Sequence, residues 1–541
     1  VALSIPFKAI LDLVGVAALV PMMMLVLEHD PSSDASVPSV LFGLSATQLC
    51  IGVIVFLLLK SFISILIVRY QNSWLLSLYR HFSGALFTNL YSKGLLFIKQ
   101  SNTSEMTFNV NAVCYNFVLS YLGGWMQLVG ETVFVLLMIV ALVIYSPLAA
   151  LLAVVSFIPA VAVYLLAVSK PLSEYGKAGN KARRAQYRQV QETFRGYPEI
   201  EVGGAFPQIK ERFDSGLDEI SDKQIKSTML RSVPSYMLEI VIALIIGVLL
   251  LFSVNSDGGN VLFLGVLAVA MLRLMPAVRA IIGSWGAIKA TRYTLEIVSQ
   301  IEDESSYNEE EGALGAGSDE SVLPLGFCDR ISVRDVSFSF GDESVLDNIS
   351  FDVLKGERVG FRGRTGAGKT TLFNLLLGLY APAEGTITID GKPLKGRNIT
   401  AWHKTVGYVP QDVFISDSTL LENVALGQSP ERIDRERVLK ALEQASLKEF
   451  VDSLPDGVDS RIGEAGSRIS GGQRQRLGIA RALYKGAEVL FFDEATSSLD
   501  NATELEVNRA IEDLAGDSNL TVLVIAHRDS TLAFCDRVID L

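Results

Sequence analysis

The stretch Gly356–Leu372, GERVGFRGRTGAGKTTL, reads as a strand, a glycine-rich turn and the first turn of a helix. Gly363, Gly368, Lys369 and Thr370 satisfy the spacing G-x-x-x-x-G-K-[ST], and Val359 and Phe361 supply the apolar strand that must precede it. Glycines let backbone N–H groups turn inward around a polyphosphate, and a helix beginning near Lys369 aims its positive end at the same place. The whole loop, Gly363, Arg364, Thr365, Gly366, Ala367, Gly368, Lys369, Thr370 and Thr371, is therefore read as the cradle of a nucleotide, with the Lys369 ammonium on the terminal phosphates and the Thr370 hydroxyl on Mg²⁺.

Around the loop, from about Phe327, short β-rich runs alternate with helical stretches: ISVRDVSFSF, SVLDNISFDV, GTITID, KTVGYVP, EVLFFDEA and LTVLVIAH. That alternation predicts an α/β nucleotide-binding domain over 327–541. VLFFDEATSSLD places Asp493 and Glu494 at the end of an apolar strand, the first suited to holding a metal and the second to orienting or deprotonating a water. ISGGQRQR opens a helix at Ser470, Gly471, Gly472 and Gln473, again a helix start suited to an anion. Gln411 and His527 stand at two further strand ends, where α/β sites gather.

Upstream the chain is of another kind. The 541 residues are 50% hydrophobic, too apolar for an ordinary soluble protein. Six apolar runs approach the roughly 20 residues a membrane span needs: about 9–27, 46–68, 125–145, 148–169, 235–253 and 261–282. The joints after the first, third and fifth are short and lack Lys and Arg. Those after the second and fourth are long and basic, so the positive-inside tendency puts the long joints in the cytosol. No proline occurs between Pro38 and Pro147, and a helix from about Ser45 to Lys93 would be roughly 70 Å long against about 30 Å of hydrocarbon. The expected fold is thus an all-α six-helix transmembrane domain (1–301) with long cytosolic helix extensions, an acidic Gly/Ser-rich linker (302–326) and the α/β domain. Polar tips near Ser101 to Asn111 and Gly204 to Pro207 are candidate docking points for a cytosolic partner.

A net charge of −12 argues against nucleic acid as a partner. The four cysteines, Cys50, Cys114, Cys328 and Cys535, show neither disulfide nor zinc spacing.

Taken in order, the motifs resemble those of the ATP-binding cassette family, and the resemblance covers nearly the whole chain. It implies ATP and Mg²⁺ as cofactors, with Thr370, Gln411 and Asp493 at the metal, and ATP hydrolysis through Glu494, His527 and Gln411. Ser470 to Gln473 resemble the signature, and Ser498, Leu499 and Asp500 the D-loop. Phe340 stands where an adenine-stacking tyrosine is usual. Ile469 and Asp529 depart from the family's residues without removing a catalytic group, and the family pattern implies further residues beyond both Val1 and Leu541. Six spans before one cassette resemble an exporter half-transporter, and because all motifs lie in one chain a homodimer is the expected assembly, each ATP site being completed by the second copy.

The cargo is less legible. Lys60, Glu131, Glu239 and Arg273 lie roughly 20 Å deep counting inward at the helix rise, with Asp12 near that level and Lys8 and Arg279 nearer the cytosolic face. Each costs about 2.5–3.5 kcal/mol to bury, so they face the bundle interior or water. Two readings stay open: acids and bases pair off, or the bases grip an anionic headgroup. The segments MLRLMPAVRAIIGS (Met271 to Ser284) and LDLVGVAALVPMMM (Leu11 to Met24) are similar to flippases of lipid-linked oligosaccharides. That similarity implies a polyisoprenyl-pyrophosphate glycan moved across the bacterial inner membrane, with Arg273, Arg279 and Lys60 as candidate contacts. The alternative is a general exporter of drugs or lipids.

Overall fold

The structure, a computed structural model, describes residues 1–18, 46–254, 261–305, 323–463, 469–494, 509, 520–526, 528 and 532–541. Two compact units result: Val1–Leu90 with Ser101–Ser305, and Tyr91–Gln100 with Ser306–Leu541.

The first unit is helical. Its long elements are α1 (Ser4–Ala17), α2 (Ala46–Ser92), α3 (Thr103–Tyr145), α4 (Pro147–Arg195), α5 (Phe206–Val254) and α6 (Val261–Thr291). Among the described residues five of these, α2 to α6, are long and apolar enough to cross a membrane. The first expected span, 9–27, is described only as far as Ala18. The long helices expected from the absence of proline are present in α2, and α4 likewise carries an apolar run continuously into a basic extension. The break between α3 and α4 is local chemistry: Ser146 leaves helical geometry, its Oγ accepts from Ala149 N at 3.4 Å, and Pro147, which lacks an N–H, takes the first helical turn. At the other tip the polar joint is shorter than expected. Asn102 accepts from Ser104 N (2.9 Å) and Glu105 N (3.3 Å), so the helix restarts at Thr103, and α3 absorbs the rest of the joint through π-helical turns at Asn109–Val113 and Phe117–Leu122.

Packing in this unit follows small residues. Ala149, Ala150, Ala153, Ser156 and Ala160 give α4 a narrow buried stripe that lets neighbouring backbones approach, and Leu267, Met271, Leu274 and Val278 of α6 fill the centre. The opposite pattern marks the outside. Ile51, Ile54, Leu58, Phe62 and Ile65 form an exposed stripe on α2 at helical spacing, Leu58 being 67% exposed. Such a stripe is costly in water and ordinary against lipid.

In the second unit β1 (Arg330–Phe340), β2 (Glu343–Leu354), β4 (Glu384–Ile389) and β5 (Lys392–Pro393) make an antiparallel sheet in the order β2-β1-β4-β5. A parallel sheet runs β6-β7-β8-β3-β9, from β3 (Arg358–Arg362), β6 (Val406–Val409), β7 (Val489–Asp493), β8 (Thr521–Ile525) and β9 (Arg537–Asp540). Each β-rich run read from the sequence is a strand; β5 and β9 were not read there. Every residue of β7 and β8 is buried, as parallel strands covered on both faces require. Between the sheets, α7 (Lys369–Leu376) packs Phe373 edge-on to Phe361 of β3 (5.7 Å between centroids) and to Phe491 of β7 (5.2 Å). These contacts fix the phosphate-loop helix against the strand that ends at Asp493.

Candidate functional site

β3 buries Val359 and Phe361 completely and delivers the chain to the loop. Gly366 and Gly368 take φ of +86° and +84°, a region that side chains strain to enter, and a Cβ on Gly368 would lie 2.8 Å from Leu346 Cδ2. Of the two, Gly368 is the glycine the motif spacing demands, whereas Gly366 falls at one of its variable positions. Arg364, Thr365, Gly366 and Thr370 are exposed, so the cradle opens outward, whereas Lys369 is 5% exposed. Its Nζ donates to Gly363 O (3.0 Å) and Arg364 O (3.1 Å), holding the ammonium across the loop.

The parallel order brings β7 close to β3, with β8 between them, and with it the acidic pair. Thr370 Oγ1 donates to Asp493 Oδ1 at 3.1 Å, and Tyr408 Oη, from β6, donates to Oδ2 at 3.4 Å. Burial pushes the Asp493 carboxyl above the usual carboxylate range; the Thr370 bond opposes this and the neighbouring Glu494 charge adds to it. Glu494 sits at φ +50°, a left-handed backbone rare for such a residue, while its N–H is held by Ile525 O at 3.0 Å. Its Oε2 accepts from Gln411 Nε2 at 3.3 Å.

At the helix α8 (Gly471–Lys485), Ser470 Oγ accepts from Gln473 N at 3.2 Å and Gln473 Oε1 accepts from Ser470 N at 2.9 Å, a reciprocal cap. Two residues on, buried Gln475 donates Nε2 to Gln411 O at 2.7 Å. Phe340 lies edge-on to Phe338 and to Tyr380, at 5.0 and 5.9 Å between centroids, and is 37% exposed.

The structure thus gathers Lys369, Thr370, Asp493, Glu494 and Gln411 at the C-terminal ends of β3, β7 and β6 in the parallel sheet. Ser498, Leu499, Asp500, His527 and Asp529 lie outside the described residues. Sequence reading missed Tyr408 and Gln475. Their signals were faint: a tyrosine among the valines of KTVGYVP, and the second glutamine of GGQRQR.

In the first unit, Lys60 and Asp12 form an ion pair, Arg273 Nη2 lies 3.6 Å from the same Asp12 oxygen, and Arg279 pairs with Glu239. Lys8, Asp12 and Glu131 line one cleft of about 520 Å³. All three basic substrate candidates therefore meet acids of the same unit.

A phosphate-binding loop on a two-sheet α/β unit, in one chain with helices of membrane-spanning length, defines a membrane-associated nucleotide-binding protein. Residues 346–497 match the family described as ABC transporter. The ATP-dependent lipid A-core flippase of Burkholderia orbicola (strain AU 1054) is 31% identical over 468 residues, 84% of this chain and 75% of that protein. The flippase of the same description from Francisella tularensis subsp. tularensis (strain SCHU S4 / Schu 4) is 35% identical over 358 residues, 65% of this chain, which spans 57% of that relative's length. A solved structure of a bacterial Atm1-family ABC exporter with ATP bound shares the fold at TM-score 0.79 and 23% identity, covering 100% of this chain and 93% of that one. The chain belongs to the ABC transporter family. It is a multi-pass membrane protein.

Proposed function

We propose that the chain is one half of an ATP-driven exporter that moves an anionic, lipid-like substrate across the cytoplasmic membrane. The observation that carries the reading is the convergence of Lys369, Thr370, Asp493, Glu494 and Gln411 at the C-terminal ends of the parallel strands.

These residues fit a magnesium nucleotide. A buried carboxylate pushed upward by desolvation has the chemistry of a site awaiting a cation, and an open loop with two positive-φ glycines leaves room for phosphate oxygens. Thr370, Asp493 and Gln411 would hold the ion, which when bound neutralises charge on the phosphates. Lys369 would exchange its two carbonyl acceptors for phosphate oxygens. Glu494 is placed to accept a proton from water, with Gln411 fixing the carboxylate, and Phe340 offers a face to the base. His527 is proposed as the residue that orients the terminal phosphate, and Ser470 to Gln473 with Asp500 as the face completing the site of a second copy.

The relatives are named for lipid A-core, and the resemblance of Met271 to Ser284 and Leu11 to Met24 to lipid-linked oligosaccharide flippases is the support for the second cargo. The two cargoes share a phosphorylated, sugar-bearing headgroup on a hydrocarbon anchor. That class, a phosphorylated glycolipid, is the proposed substrate, and a polyisoprenyl-pyrophosphate oligosaccharide its most specific form. Proteoliposomes holding a fluorescent polyisoprenyl-pyrophosphate glycan or a labelled lipid A-core would test it. ATP-dependent loss of accessibility from one leaflet is expected for at least one of them. ATPase stimulation by unrelated amphiphiles, with no movement of either glycolipid, would replace the reading with a general drug or lipid exporter.

A further inference from the structure

The charges expected to meet an anionic substrate are the ones already neutralised: Lys60 and Arg273 by Asp12, and Arg279 by Glu239. A different cleft of the first unit, about 480 Å³ between α3, α4, α5 and α6, has the opposite balance. Arg183, Lys223 and Arg231 line it, and no Asp or Glu does. Arg231 makes no ion pair among the described residues, and its Nε is buried without a hydrogen-bond partner. The hydroxyl of Tyr164 is buried and unpartnered too; Gly286 brings the two together, since a Cβ there would lie 3.6 Å from Tyr164 Oη and 3.9 Å from Arg231 Cγ. Among the described residues, Arg183 Nη2 reaches a neutral partner, Gln224 Oε1 at 3.3 Å, and no carboxylate. Lys223 lies 3.7 Å from Asp222, whose carboxylate Lys226 holds more closely at 2.8 Å.

Arg231, whose Nε is withdrawn from water with no carboxylate beside it among the described residues, carries an unrecovered desolvation cost that a bound anion would recover, and Arg183 beside it stays exposed and open to the same anion. A planar guanidinium with free donors suits a phosphate oxygen pair. Beside it, Tyr175, Tyr293 and Asn180 offer hydroxyl, amide and aromatic surface, the chemistry that recognises polar, sugar-like groups. Arg231 stands four residues before the apolar run 235–253, so the cleft lies where a headgroup enters while its chain stays in lipid.

We propose that this cleft binds the phosphorylated headgroup of the substrate, with Arg231 and Arg183 as its phosphate contacts. The inference rests on the reading that the chain moves a phosphorylated amphiphile, but its test requires no transport. Full-length protein in phosphatidylcholine nanodiscs, carrying Lys369→Ala to silence the phosphate loop, would be titrated without ATP against farnesyl pyrophosphate, inorganic pyrophosphate and farnesol. Arg231→Ala should weaken farnesyl pyrophosphate at least about tenfold, Arg231→Lys should recover part of the loss, and Arg183→Gln should weaken it severalfold. Lys210→Ala, at an exposed pair with Asp214 on α5, should leave it unchanged. Arg231-dependent binding of inorganic pyrophosphate as tight as that of the lipid would support the site and identify a free anion as its source. Tighter lipid binding would identify a headgroup. Farnesol binding equally well, no binding of either pyrophosphate, or affinity unmoved by both Arg231→Ala and Arg183→Gln would overturn the proposal. Should Arg231→Ala fail to fold, Arg183→Gln and Arg231→Lys decide alone. Arg231-dependent binding without translocation in proteoliposomes would leave the site standing and remove the transport reading instead.

Discussion

Gln475 Nε2 donates to the backbone carbonyl of Gln411 at 2.7 Å, tying the helix that follows the Ser-Gly-Gly turn to the residue that reaches Glu494. Gln475 is 4% exposed and reaches the site through the backbone of Gln411, so it acts as a positioning residue. Gln475→Ala should lower ATP turnover by roughly tenfold, the equivalent of one lost neutral hydrogen bond, while nucleotide affinity changes little. Gln475→Glu should not rescue it, because an ionised carboxylate cannot donate. Steady-state ATPase rates in proteoliposomes, read beside equilibrium nucleotide binding, check this. Equal losses in affinity and turnover would mean that the residue only holds the fold.

Glu494→Gln keeps the side-chain shape and an oxygen for Gln411 but removes the base. Turnover should fall by about 10²–10⁴ with nucleotide still bound. A variant hydrolysing at a third of the normal rate would assign the base elsewhere.

Asp493 offers a pH test. Its carboxyl is raised by burial, so its protonated form suits the folded state without a cation. The stabilising contribution is complete below the unfolded-state value and is lost as pH rises through the folded one, leaving a net cost at neutral pH. Without nucleotide and Mg²⁺, Asp493→Asn should raise the melting temperature at pH 7.5 by roughly 2–4 °C, a difference that shrinks as the pH falls through the carboxylate range. With ATP and Mg²⁺ the order should reverse, since only the carboxylate gains the ion. Thermal scans over pH with and without ligand would reveal it. A variant less stable than the parent at pH 7.5 without ligand would contradict the account.

In the membrane unit, Asp12 serves both Lys60 and Arg273. Asp12→Leu should destabilise the unit by about 3 kcal/mol or more because it strands two cations, whereas Lys60→Met with Arg273→Met and Asp12→Leu together should cost far less. Unfolding yields in mild detergent would separate the two. A triple variant as unstable as the single one would show that the ion pairs contribute through packing rather than charge.

What one stretch of chain decides by its own geometry was legible beforehand. Proline positions and apolar runs predict the continuous α2 (Ala46–Ser92), and the glycine spacing around Lys369 predicts a loop whose Gly366 and Gly368 do sit at positive φ. The alternation of β-rich runs yielded the strand that ends at Asp493 and the strand that leads into Gln411. These are local matters: backbone sterics, hydrogen-bond caps and side-chain period act over a few residues, so the sequence expresses them directly.

Partnerships were decided only in three dimensions. Asp12 meets Lys60 and Arg273, residues far away along the chain, and the choice between paired charges and a grip on substrate turned on that meeting. Tyr408 reaches Asp493 because β6 lies beside β7, and Gln475 meets Gln411 because α8 packs on β6; neither residue carries a motif. Arg231 carries no motif, and only the absence of any acid among the residues lining its cleft sets it apart. Coulomb energy and desolvation depend on distance and burial in space, which the linear order of residues does not contain.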